Sequence, residues 1–245
     1  MGRVFVVNVG VNASHRLVSP LYDDGSFTFV TILEERSLQG ASLVRYGDVP
    51  RLRMTVPERY WAWPTHYDPE FESLTYGDNC GWAPRAAALR SARPGDALLF
   101  IARLVRIGSG EPVFGLVGLL EVESVRPNVR SCPPDARLRG NAHVRRALAD
   151  PRYWDGFWLF AGTPRSGLFP RAALVGRAEA ELLFRDKDGA PWQWRDGRSE
   201  LQTIGSYTRS CRCVIDPALD PQRARLLWDW LAEQVAPQVP LGDEE

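Results

Sequence analysis

No run of apolar residues in this chain reaches the ~18 that a membrane-spanning helix needs, so no membrane partner is expected. The first apolar stretch, MGRVFVVNVGVN, has no small-residue cleavage site behind it and reads as a buried first strand, not as a signal peptide. The pattern C-x-x-C is missing, and the four cysteines (Cys80, Cys132, Cys211 and Cys213) are scattered. That argues against a zinc site of the usual spacing and fits unpaired thiols in a reducing, cytoplasmic setting. Cys211 and Cys213 flank one residue and read as packing on one strand face. There is no G-x-x-x-x-G-K-[ST], which excludes nucleoside triphosphate hydrolysis by a P-loop, and no G-x-G-x-x-G. There is no G-x-S-x-G either, and adjacent residues such as Ser14 and His15 rarely point together, so serine hydrolysis is not favoured.

Excess charge is also lacking. Thirty basic residues meet 30 acidic ones, which argues against a general binder of polyanions. Lysine is nearly absent, with Lys187 alone. The distribution is more informative than the sum. Residues 126–177 hold ten arginines, among them Arg126, Arg130, Arg145, Arg146 and Arg165, against three acids, a net of +7. Residues 1–80 are net −3, with seven arginines and ten acids. An arginine fork binds phosphate with two hydrogen bonds, so the basic segment is a candidate phosphate contact or simply a solvated face.

What is abundant is aromatic side chains, at 11% with nine tryptophans, together with 19 prolines and 21 glycines. The composition is that of a globular protein with many turns and enough apolar residues for a sizeable core. The chain is read as a single domain over 1–245, with a core over about 3–215 and a C-terminal helix over about 221–236 packed on it. Val4, Val6 and Asn8 alternate with Phe5, Val7 and Val9, so a central strand apolar on both faces is expected. Asp23-Asp24-Gly25 marks a hairpin turn leading into a strand over Ser26–Leu33. Four prolines break residues 34–81, an irregular aromatic segment suited to covering a site. Asp96–Val105 and Val113–Val125 are two apolar strands joined at Gly108-Ser109-Gly110. Asn141 is a good N-cap for a helix running to Ala149, Trp154–Ala161 reads as an aromatic strand, and Ala173–Phe184 is left open between helix and strand. Asp220 and Pro221 start a last helix that Pro237 ends, ahead of an acidic tail over Gly242–Glu245.

Several stretches resemble one known family. They are NVGVNASHRLVSPLYDDGSFTFVTI, THYDPEFESLTYGD, the RPGDALLFIARL…FGLVGLLEVESV unit, NAHVRR and GTPRSGLF. Together they are similar to the third type of nucleotide-modification-associated domain, across roughly residues 3–175. The strand–Gly–strand unit also resembles the barrel strands of PUA, ASCH and EVE domains. The resemblance implies an α+β fold: a mixed, mostly antiparallel PUA-like β-barrel core with flanking helices and long loops. It implies association with DNA base modification, with DNA or a nucleotide as partner and other modification proteins as further partners, but no defined reaction. One departure is visible, since relatives tend to carry a proline where this chain has Val30-Thr31-Ile32-Leu33.

Three histidines, His15, His66 and His143, all lie in polar motifs. Histidine serves as acid, base or metal ligand near neutral pH, so these three and Asp68 are the catalytic candidates. Whether they hold a metal depends on the loops converging; the sequence specifies neither metal nor cofactor. For a nucleotide, the candidates are Asn12, Ser14 and Arg16 after the first strand, Trp63 and Tyr76 for stacking, Asn141 and Arg145, and the Arg165-Ser166 loop for phosphate. Arg145 and Arg146 project about 100° apart on a helix, so at most one faces a given ligand. Three roles remain open: a binder of a nucleotide or modified base, an enzyme that makes or removes such a base, and a non-catalytic scaffold.

Overall fold

The computed structural model describes residues 2–186 and 189–235. The expected end of the last helix at Pro237, the acidic tail and Lys187 lie outside them. The strands are β1 (Val4–Val9), β2 (Ser19–Leu21), β3 (Ile32–Leu33), β4 (Thr65–His66), β5 (Thr75–Asp78), β6 (Ala97–Arg106), β7 (Pro112–Val129), β8 (Phe157–Gly162), β9 (Gly167–Leu174) and β10 (Arg212–Ile215). The helices are α1 (Pro50–Thr55), α2 (Ala136–Arg139), α3 (Ala142–Ala149), α4 (Arg177–Leu183), α5 (Glu200–Thr208) and α6 (Pro221–Val235).

The main sheet runs in the order β10-β1-β6-β7-β8-β5, with β2 added to β6 and β9 to β7. β1 and β2 lie parallel to β6, and the remaining pairs are antiparallel. β1 is central, as its two apolar faces require. Val4 and Val6 enter one core with Leu99, Ile101 and Leu116, while Phe5, Val7 and Val9 enter another with Leu98, Phe100 and Val117. α4, α5 and α6 cover the first face through Ala180, Leu183, Ile204, Leu227 and Leu231. The 3₁₀ helix Pro84–Ser91 closes the second with Ala86 and Leu89. Each fully buried Leu, Ile, Val or Phe is worth about 1.5–3 kcal/mol, so both faces contribute to holding the sheet.

The expected closed barrel is not what the register gives. The sheet is open, with β10 and β5 at opposite ends. A barrel has one interior, whereas this sheet buries apolar residues on both faces, each under its own helical cover. The 18-residue β7 also divides its partners. Gly115–Leu119 pairs with β9 and Val122–Val129 with β8, across bulges that bend the strand.

Two local expectations change. The stretch Ser26–Leu33 turns at Asp23-Asp24-Gly25 as expected, but only Ile32–Leu33 forms a strand, against β4. Ala173–Phe184 is both elements in turn. β9 ends at Leu174, and α4 starts at Arg177, its cap backbone bonded by Glu179.

Candidate functional site

β3 and β4 pair with Ile32 opposite His66 and Leu33 opposite Thr65. This puts Glu34, the next residue after β3, beside the His66 ring, with Glu34 Oε2 3.0 Å from His66 Nδ1. The chain then turns within two residues, the Asp68 amide donating to the His66 carbonyl at 2.8 Å. Asp68 enters the same buried space, where the Gly77 amide of β5 donates to its Oδ2 at 2.9 Å and Asn141 Nδ2 donates to its Oδ1 at 3.2 Å.

Asn141 has two roles. Its Oδ1 accepts from the His143 amide at 3.0 Å, which caps α3. Its Nδ2 holds Asp68, so the start of α3 and the HYDPE segment are fixed together. His143 in the first turn of α3 then lies edge-on to His66, ring centroids 4.7 Å apart. One helical turn later Arg146 donates to Glu34 Oε1 at 2.6 Å.

The result is one centre with donor atoms of His66, Asp68 and His143 all within 4.8 Å of one another, the only such His, Cys and carboxylate group among the described residues. Asp68 Oδ2 lies 4.0 Å from His66 Nε2 and 3.8 Å from His143 Nε2. The centre is buried, though the two imidazoles keep 11% and 9% of their side-chain surface. Beside it Glu34, Leu43, Val44, Thr65, Tyr67, Ala142 and Arg145 bound a hollow too narrow for a water molecule.

Burial sets the electrostatics. It pushes the His66 imidazolium down, against the Glu34 hydrogen bond and with the help of Arg146. It pushes His143 well below the ordinary histidine range, with the neighbouring His66 and Arg146 adding to the effect. Burial raises Asp68 well above a normal carboxyl, against the Gly77 amide and with the charge of Asp78 adding. Burial also opposes the charge on Glu34, but hydrogen bonds and charge from His66 and Arg146 prevail and hold it down at about 2. Glu34 is thus ionised, held by His66 and Arg146 together. His66 Nδ1 faces both Glu34 Oε2 at 3.0 Å and the Arg146 guanidinium at 3.2 Å, while Nε2 faces Asp68.

A family model described as nucleotide modification associated domain 3 matches residues 3–207. The chain belongs to that family. All six residues of the centre, Glu34, His66, Asp68, Asn141, His143 and Arg146, fall inside the nucleotide modification associated match, and α6 falls beyond it. No curated protein and no solved structure matches the chain. Among the described residues no helix is long and apolar enough to cross a membrane.

Of the residues singled out from sequence, the fold gathers His66, Asp68, His143 and Asn141. Arg145 sits beside them, its guanidinium without an ion pair among the described residues, while Ser42 Oγ donates to its carbonyl at 3.0 Å. His15 is not part of the centre. Its Nδ1 accepts the Asn12 amide at 2.9 Å, and Asn12 Oδ1 accepts from the Ser14 amide and hydroxyl, a self-contained loop. Arg16 lies against the Tyr60 hydroxyl. Trp63 has Arg36 over its ring at 3.7 Å and Tyr60 against it edge-on at 4.6 Å. Tyr76 is buried, packed against Phe100 and Phe160, so its ring has no free face for a base. Arg165 pairs with Glu121, whose amide also donates to Ser166 Oγ at 3.0 Å.

Half of the basic segment is likewise neutralised within the protein. Arg137, Arg146, Arg152, Arg165 and Arg177 bond Glu123, Glu34, Asp150, Glu121 and Glu181. Arg126, Arg130, Arg139, Arg145 and Arg171 have no ion pair among the described residues. Glu34 and Gly77 were not singled out from sequence. For Glu34 the only local cue is an acid directly after Ile32-Leu33, which by itself does not reveal the β3–β4 pairing that gives it its place. For Gly77 no such signal exists, because its need to be glycine comes from α3.

Proposed function

We propose that this chain acts on a nucleotide or on a modified base of DNA, and that His66, Asp68 and His143 are the groups that carry the chemistry. The observation behind this reading is their convergence within 4.8 Å from two segments far apart in sequence. Three buried titratable groups with displaced protonation, gathered together and held by an outer ring of partners, are a mark of functional sites. Imidazoles and a carboxyl so placed can serve as acid, base or metal ligand. Arg145, adjacent and without an ion pair among the described residues, is the group we assign to a phosphate.

A second reading, binding without turnover, is favoured by Trp82. This indole is 63% exposed on the loop after β5 and offers the free face that Trp63 and Tyr76 lack.

A thermal-shift screen over natural and modified nucleotides tests the proposal, since a ligand that binds the folded state raises its melting temperature. A hit is expected to disappear in Asp68→Asn and to weaken in Arg145→Ala. A hit that both variants retain in full would overturn the assignment, and loss in Trp82→Ala alone would favour the second reading. If neither nucleotides nor DNA bind, a scaffold role gains.

A further inference from the structure

The side chains at the centre are of the types that bind transition metals, and their arrangement is what such a site needs. Two imidazoles and one carboxylate leave further coordination positions open, a pattern shared by several divalent first-row ions. Ligand atoms at about 2.0–2.2 Å from an ion stand roughly 3–4.3 Å from one another. The 3.8 Å and 4.0 Å separations from Asp68 Oδ2 lie in that range, and the full set fits within 4.8 Å. Binding one ion therefore requires the three donors to draw together.

The ring of partners outside these three has the same character. Metal-bound histidine usually gives its other ring N–H to a carboxylate, and bound carboxylates are themselves hydrogen-bonded. His66 Nδ1 meets Glu34 at 3.0 Å, and Glu34 is anchored by Arg146 at 2.6 Å. Asp68 takes Asn141 Nδ2 on Oδ1 and the Gly77 amide on Oδ2, which leaves Oδ2 a second lone pair. Gly77 leaves room for the His143 ring, since a Cβ there would stand 2.6 Å from His143 Cδ2.

We propose that His66, Asp68 and His143 bind a single divalent first-row transition ion, with Glu34 as the positioning residue for His66. The proposal deepens the reading above by naming a cofactor class for the same centre. Its test contains no nucleotide, so the two can fail separately.

The experiment uses the full chain with any histidine tag removed, stripped by a chelator and titrated calorimetrically with Zn²⁺, Mn²⁺ and Mg²⁺. One saturable Zn²⁺ equivalent per chain is expected, tighter than Mn²⁺, with no saturable binding of Mg²⁺. Glu34→Gln is expected to weaken Zn²⁺ by ~10–100-fold while leaving the stoichiometry at one. His143→Ala and Asp68→Asn are expected to abolish binding, and Cys132→Ser to leave it unchanged. Should either ligand variant misfold by circular dichroism, X-ray absorption of the zinc-loaded wild type decides, with two imidazoles and an oxygen ligand expected. No saturable binding by the wild type, loss in Cys132→Ser, or a sulfur ligand would overturn the proposal. Binding of zinc with no nucleotide responding in the thermal screen would sink the functional reading alone.

Discussion

At Gly77 the β5 backbone passes so close to α3 that a methyl group would stand 2.6 Å from the His143 ring and 2.7 Å from Asn141 Oδ1. Gly77→Ala must therefore push apart two groups of the centre. Overpacking of this kind costs about 1–3 kcal/mol, so a lower midpoint in urea is expected, and an unchanged midpoint would show that α3 yields freely. The thiols make a second test. Burial raises Cys211 to about 12 and pushes Cys80 up further, whereas Cys132 is exposed. Since the thiolate is the reactive form, a thiol reagent at pH 8 should modify Cys132 first and reach Cys80 and Cys211 only on unfolding. Rapid loss of all four thiols from native protein would contradict that. A third test concerns acid. Hydrogen bonds from Arg165 and Thr163 hold Glu121 below its ordinary range. A depressed carboxyl stabilises the fold above its unfolded value and loses that contribution as pH falls through the folded one. Glu121→Gln should therefore weaken the protein near neutrality and flatten its acid limb below about pH 4.5, by a small margin for so exposed a pair. At this scale the sequence was legible where chemistry is local. His66, Asp68 and His143 stood out because rare polar side chains sat in short motifs. His15 stood out equally, but its loop closes on itself, and nothing in the residue types tells a loop that meets partners from one that does not.

Among the elements, α3 shows how one residue serves structure and site together. Asn141→Ala removes the cap, worth about 0.5–2 kcal/mol, and the Nδ2 donor to Asp68 as well. Asp135 caps α2 by accepting the Arg137 amide at 2.9 Å, with no such second contact. Thermal denaturation should show Asn141→Ala as the costlier of the two; equal losses would mean that the Asp68 contact contributes nothing. The cap at Asn141, the β6–β7 pair and the start of α6 at Asp220 and Pro221 were all legible, because propensity, period and cap residues agree there. Ser26–Leu33 misled because its apolar spacing suits a strand, whereas most of it packs as irregular chain against β2 and the aromatic cluster around Tyr46 and Tyr60. Glu34 was hidden for a related reason. Its importance rests on the β3–β4 pairing, and two-residue strands leave no periodic trace.

For the whole molecule, the deciding feature is a sheet buried on both faces. α6 lies beyond the family match but sends Leu227 into the core that holds Val4, Leu99 and Phe184. Leu227→Ala should cost about 2–5 kcal/mol although it touches no candidate site residue. Calorimetry checks this, and a loss below 1 kcal/mol would mark α6 as loosely attached. The α+β class was expected from the family resemblance, and the sheet and helices bear it out. The open sheet was not, because closure depends on whether the two outermost strands meet, and local pattern is silent on that. The hydrogen bonds of the centre carry a last consequence. Glu34 and Arg146 are 112 positions apart, and Asp68 and Asn141 are 73 apart. During synthesis the Glu34–His66 and Gly77–Asp68 contacts join residues that leave the ribosome early, whereas His143, Asn141 and Arg146 arrive only with α3. A polypeptide interrupted before α3 therefore carries one half of the centre, without the second imidazole or the two groups that anchor Asp68 and Glu34 from the helix.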